Sequence, residues 1–329
     1  MSSNAIAKAE KFHLRVGRYL KRRIRMAEYA NSKDKLSTTD SHDTDDETGH
    51  KVIDSNKDNY NTASQGGVHL DNWQKLKQYT DARIALGRAG TSIPTKPLLN
   101  FQLDHAEAKD AVLQDLDSSY LKQQLSKALS KHKTFQMIEV SSQASTKSDY
   151  LKRPDWGRLL NDESVNTLKS FGKNKSYDVV IVIGDGLSAR AIEENAPKLV
   201  AELIVLFEEQ GWEVAPLVIA TGSRVALGDR VAEHLNAKML VMLIGERPGL
   251  SSPDSLGIYY TWNATSSSND SMRNCISNVR SAGLPIKVAA SRLLALMIKS
   301  KQIQLSGVGI KDEQETPVLN QNKPTIQLL

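Results

Sequence analysis

The side chains placed to do chemistry fall in three short segments, each just past or beside an apolar run. The longest is Gly245-Glu246-Arg247-Pro248-Gly249-Leu250-Ser251-Ser252-Pro253-Asp254-Ser255-Leu256. Two prolines and two glycines make it stiff and tightly turned, the kind of loop that holds functional groups. Glu246 is read either as the acceptor for an amide-bearing ligand or as the partner of Arg247. In Thr221-Gly222-Ser223-Arg224-Val225-Ala226-Leu227-Gly228-Asp229 a flexible turn puts Arg224 at a helix start. Helix amides and a guanidinium both favour anions, so this suits a polar or phosphate-bearing ligand; an ion pair between Arg224 and Asp229 is the alternative. Arg273-Asn274-Cys275-Ile276-Ser277-Asn278 carries the chain's single cysteine. A lone cysteine reads as an inert small core residue, yet its polar neighbours can line a pocket rich in hydrogen bonds.

No complete catalytic set accompanies these segments. The seven histidines form no metal-ligand spacing, and neither a Gly-x-Ser-x-Gly elbow nor a Walker loop is present. Gly184-Asp185-Gly186-Leu187-Ser188-Ala189 satisfies the Gly-x-Gly-x-x-Gly/Ala pattern of dinucleotide-binding folds. That fingerprint also wants an acid at the end of the next strand, which here reads Ile219-Ala220-Thr221-Gly222-Ser223. A nucleotide-cofactor oxidoreductase using NAD or flavin is therefore the second reading. The chain looks like half of a site.

The elements that must position these segments are legible in the second half. Tyr177 to Ile183, Val214 to Ala220 and Met239 to Ile244 are continuous apolar runs of the kind buried on both faces of a parallel sheet. Helical patterns separate them, one capped by Asn195 with Pro197 in its first turn and Gly211 as its stop, others over Val225 to Leu235 and Val288 to Lys299. The expected fold is α/β, a doubly wound, mostly parallel, Rossmann-like sheet over residues 136–305, with ligands beyond the carboxyl ends of its strands. Helical spacing over Asp71 to Arg88, Pro97 to Leu113 and Ser118 to Leu129 predicts a small helical domain over 70–135, and Ile138 to Val140 a short strand.

The ends differ in composition. Eight basic residues between Lys8 and Arg25, interleaved with Phe12, Val16, Leu20 and Ile24, predict a basic amphipathic helix within 1–30. Residues 31–69 read as a disordered, partly acidic linker and 306–329 as a disordered tail. Asp40-Ser41-His42 begins like the Asp-x-His-x-x-Gly motif by which some cobalamin proteins present a histidine to cobalt, but Asp45 stands where glycine should be. With 40% hydrophobic and 25% charged residues, one cysteine and no long apolar run, the expectation is a cytoplasmic protein with neither a membrane nor a nucleic acid as partner.

Five blocks, in order, resemble one family, the small subunit of ethanolamine ammonia-lyase. They are Ala82-Arg83-Ile84-Ala85-Leu86-Gly87-Arg88-Ala89-Gly90, Tyr150-Leu151-Lys152-Arg153-Pro154-Asp155-Trp156-Gly157-Arg158, Asp185-Gly186-Leu187-Ser188, Gly245 to Gly257, and Cys275-Ile276-Ser277-Asn278. The resemblance covers roughly Leu70 to Lys301. It implies a heteromeric lyase that converts ethanolamine to acetaldehyde and ammonia by a radical mechanism with adenosylcobalamin. A large subunit would bind ethanolamine and carry the catalytic residues. The small subunit would line part of the cobalamin pocket through Val225, Glu246 and Cys275, each expected in a segment following a strand. It also implies a setting in the cytoplasm, free or within a bacterial microcompartment.

Overall fold

Val179 to Ile183 and Leu240 to Ile244 are apolar at every position, a composition that only a strand covered on both faces can bury. Their surroundings are seen in a computed structural model, which describes residues 68–69, 71–132 and 135–310. The expected basic helix, nearly all of the linker with Asp40-Ser41-His42, and the tail beyond residue 310 lie outside the described residues. In chain order the strands are β1 (Val68–His69), β2 (Arg88–Ala89), β3 (Met137–Ser141), β4 (Tyr177–Gly184), β5 (Leu217–Thr221), β6 (Ala237–Gly245), β7 (Leu256–Trp262) and β8 (Arg273–Val279). The helices are α1 (Thr95–Leu113), α2 (Ser118–Ala128), α3 (Lys147–Lys152), α4 (Asp162–Gly172), α5 (Ala189–Glu209), α6 (Leu227–His234) and α7 (Ile286–Ile303).

β1 and β2 form a short antiparallel ribbon, and the other six strands form one sheet in the order β3-β5-β4-β6-β7-β8. The first four run parallel, while β7 and β8 are added antiparallel at one edge. Helices cover both faces. On one, α2, α5 and α7 bury Leu121, Leu125, Leu203, Phe207, Leu293 and Met297 against Val179, Ile181, Val241, Ile258 and Ile276. On the other, α4 and α6 bury Leu168, Leu227 and Val231 against Ile138, Val182, Val218, Leu240 and Met242. Each such side chain contributes roughly 1.5–3 kcal/mol by leaving water. The first face covers the sheet as far as Ile276 and Val279 on β8. No buried residue of β7 or β8 belongs to the second.

Several local expectations are corrected. The long helix starts at Ala189, capped by Ser188, whose Oγ accepts from the Ala191 amide. Asn195 is instead interior, and its Nδ2 donates to the carbonyls of Ala191 and Asp254, tying the helix to the β6–β7 loop. Helical spacing over Asp71 to Arg88 yields only a 3-10 helix, Asn72–Tyr79. Thr80 then turns extended, and positive φ at Ala85 and Gly87 carries the chain into β2. Pairing in the second run, Val214 to Ala220, begins at Leu217, with Val214 reduced to an isolated bridge to Val179. The sequence reading also missed β7 and β8, so Cys275 lies inside a strand and not beyond one. Packing runs to residue 310, where Ser306 and Ile310 are buried.

Candidate functional site

Residues opposite one another on neighbouring strands point to the same face. One such row crosses all six strands: Ile138, Val218, Val182, Met242, Tyr259 and Cys275. Its first four members lie under α4 and α6 and are at most 3% exposed. Tyr259 is half-buried at the rim of that core, and Cys275 is exposed. The helical layer thus stops short of the antiparallel edge and leaves a shelf on β7 and β8.

Glu246 overhangs this shelf. It leaves the end of β6 with its amide bonded to the Ser255 carbonyl. Its Oε2 accepts from the Ser255 hydroxyl and from the Asn278 amide at 3.2 Å, while Oε1 takes no hydrogen bond from the described residues. The carboxylate rests over Gly257: a Cβ there would meet Oε1 at 2.9 Å. Glu246 does not pair with Arg247, so that alternative is not realised. Desolvation, then Cys275 and Glu246, push the Tyr259 phenol up to about 12. Desolvation also raises the Cys275 thiol, opposed by a hydrogen bond with Tyr259 and reinforced by Glu246. Both groups are neutral near pH 7. The shelf carries one carboxylate, a thiol and a phenol, and Cys275 is neither a core residue nor an activated nucleophile.

Val225 reaches the same face by another route. It precedes α6 and packs partly buried on the core beneath that helix. Its carbonyl accepts from the Gly228 amide, and Gly228 is pressed against Leu240 and Met242. Met242 in turn stands beside Tyr259. Glu246, resting over Gly257, and Cys275, paired with Tyr259, therefore lie on the same face of β7 and β8, and Val225 stands on the rim of the same core.

The expected ion pair between Arg224 and Asp229 is not formed, and each residue has another partner. Arg224 stacks on the Tyr150 ring, its guanidinium carbon 4.3 Å from the centroid, and donates to the Tyr150 carbonyl. Its Cγ lies where any side chain at Gly157 would have to stand, so the Tyr150-to-Arg158 block serves as its seat. Asp229 instead pairs with Arg273. Both partners are 3% exposed, and Arg273 also reaches Asp270 at 2.7 Å. Burial outweighs the guanidinium and lifts the Asp229 carboxyl to about 6. This pair ties α6 to β8. It was missed because Arg273 and Asp229 lie far apart in sequence, in an element that went unread.

The geometry lends no support to a dinucleotide site. Asp185 is buried, and its carboxylate accepts from the amides of Gly186, Gly222 and Ser223 and from the Ser223 hydroxyl, all at 2.8–3.0 Å. The chain thus supplies its own anion to amides that a phosphate would use. A Cβ on Gly186 would lie 2.2 Å from the Gly245 carbonyl, so the glycine-rich turn serves contact with the neighbouring loop. Among the described residues no group of three or more His, Cys, Asp or Glu side chains is placed to hold a metal ion, and no helix is long and apolar enough to cross a membrane.

Beside Glu246 a cavity of about 500 Å³ opens between the 80–83 segment, the β6–β7 loop, and Asn278 and Arg280 at the end of β8. Sequence reasoning overlooked it because it needs three distant segments, although the block beginning at Ala82 and the block ending at Asn278 both contribute.

Residues 70–311 match the family described as ethanolamine ammonia-lyase light chain (EutC). The ethanolamine ammonia-lyase small subunit of Pseudomonas fluorescens strain Pf0-1 is 45% identical over 255 residues, 77% of this chain and 91% of that protein. That of Pseudomonas putida strain W619 is 45% identical over 261 residues, 78% and 93% of the two chains. That of Pseudomonas syringae pv. tomato is 43% identical over 261 residues, covering 79% and 89%.

Proposed function

The chain belongs to the ethanolamine ammonia-lyase light-chain family and is a lyase subunit, and from that premise we propose that its uncovered shelf forms one wall of an adenosylcobalamin site completed by the large subunit. The observation that carries this is the placement of Glu246, Tyr259 and Cys275 together on a stretch of sheet face that no described helix of this core covers, with Val225 on the rim of that core. A corrin is broad, apolar on its faces and fringed with amides. A sheet surface bearing neutral, polarizable groups suits the faces, and a carboxylate with a free oxygen suits the fringe.

Val225 packs against the cofactor, Glu246 accepts a hydrogen bond from an amide N–H, and Cys275 supplies a small neutral wall. When bound, the cofactor supplies the radical chemistry that converts ethanolamine to acetaldehyde and ammonia. This chain's share is to bind, to orient and to keep water out. The catalytic residues and the ethanolamine site belong to the large subunit. The setting we propose is the cytoplasm, free or within a bacterial microcompartment.

Co-expression with and without the large subunit, followed by an absorption spectrum of the purified material, tests the reading. A corrin spectrum in the pair alone is expected. A pair that assembles without corrin, or cofactor turnover by this chain alone, would overturn it.

A further inference from the structure

Helix α1 is covered far less than its composition demands. Leu98, Leu99, Phe101 and Leu103 crowd its first half, Ile93 precedes it and Leu113 ends it, and these side chains are 40–57% exposed. From Thr95 to Glu107 every residue is exposed except Pro97 and Asp104, which are half-buried. Within α1 only Ala108 and Ala111 are buried. The chain is moored just past the end of the helix, where the side chain of Gln114 and the amide of Asp117 both donate to the Glu193 carboxylate on α5. No side chain caps its start. A helix draws most of its stability from packing an apolar face, and one that is apolar on several sides is built to be covered.

The helix also borders the wall described above. Arg83 pairs with Asp104 of α1 and lies over the Phe101 ring, its guanidinium carbon 5.9 Å from the centroid. The same arginine lines the cavity beside Glu246. Size then selects the occupant. A helix about 28 Å long and ~10 Å across, gripped over half its circumference, buries on the order of 400 Å². Two copies meeting on it would bury about 800 Å² in all, the size of a crystal contact and short of a stable dimer. A partner that also covers the neighbouring shelf reaches the ordinary size of a specific interface. We propose that α1 is the docking helix for the large subunit, with Leu98, Leu99, Phe101 and Leu103 entering an apolar groove of that chain. The proposal rests on the reading that a large subunit completes the corrin wall, and it places the grip between the two chains.

The test measures the affinity of the full chain for the immobilised large subunit, together with amide hydrogen exchange of the chain alone and in the pair. Leu99→Glu with Leu103→Glu should weaken the pair about a hundredfold or more, because both carboxylates would be buried in the interface without partners. Leu99→Met with Leu103→Met should stay within about threefold of the parent. Both positions are exposed in the chain alone, so the fold tolerates either pair of changes. In the parent, exchange over residues 95–107 should slow on pairing. Unchanged affinity in the glutamate variant, or a parent pair that forms without slower exchange over α1, would overturn the docking helix and leave the corrin wall standing. A chain that dimerises through α1, losing its dimer in the glutamate variant while pairing is unaffected, would give the face to a second copy and overturn the proposal too. Failure of the parent chain to bind the large subunit at all would overturn the shared cofactor site and this surface with it.

Discussion

The two halves of one sheet face differ in what they leave exposed. From β3 to β6, α4 and α6 bury an aliphatic row of Ile138, Val218, Val182 and Met242. Across β7 and β8 the same row continues as Tyr259 and Cys275, with no helix of that layer above it. Where a covering layer stops, hydrogen-bonding side chains become available without the cost of burial, and a ligand or a second chain can complete the wall. The covered half provides stability, and on the proposed function the open half provides recognition. The Asp229–Arg273 pair marks the boundary between them.

The largest effect should come from breaking that boundary. Arg273→Ala leaves Asp229 buried without its partner and should cost about 3–5 kcal/mol in chemical unfolding, and replacing both members with apolar residues should recover most of it. Met242→Ala, in the covered half, should cost roughly 2–5 kcal/mol. Cys275→Ala, in the same row but exposed, should cost no more than about 0.5 kcal/mol while weakening corrin uptake by the assembled complex. Equal stability losses at Met242 and Cys275 would erase the distinction.

Within the open half, Gly257→Ala should displace the Glu246 carboxylate, since the new Cβ meets a side-chain oxygen before any backbone. We expect corrin affinity to fall about tenfold, close to the effect of Glu246→Gln, with a small stability change. A glycine replacement that left affinity intact would remove Glu246 from the wall. The smallest effect concerns pH. The folded Asp229 carboxyl titrates near 6, above its ordinary 3.8, so the native state takes up the proton more readily than the unfolded chain. Its contribution to stability is full below about pH 4 and is lost as pH rises through about 6. Melting temperatures of the parent minus those of Asp229→Asn should therefore fall between about pH 4 and 6.

Much of the covered half was legible in the sequence, and much of the open half was not. Continuous runs such as Val179 to Ile183 announce a strand packed on both sides, and they gave the parallel core. In β8 only Ile276 and Val279 between Asn274 and Val279 are apolar, and a register shift beside Ile258 breaks the two-residue period. A strand whose buried residues are spaced this way lacks the alternation that identifies strands. The same lack put Cys275 in a loop and in the core, when it lies in a strand and exposed. Asn195 was misread for a different reason. Asn-Ala-Pro has the residue types of a helix start, and only the Asp254 carbonyl, brought in by the tertiary fold, shows why asparagine is there. The site residues themselves came from the family resemblance. The spacing of Glu246 and Cys275 did not reveal that Tyr259 joins them.

The central claim is that the face of β7 and β8 is a corrin wall. Its most direct test is Cys275→Trp, introduced where the side chain is exposed and the fold can accept it, and co-purified with the large subunit. The account predicts an assembled pair whose visible spectrum lacks the corrin bands seen with the parent chain. A Cys275→Trp pair carrying corrin at the parental level would contradict it.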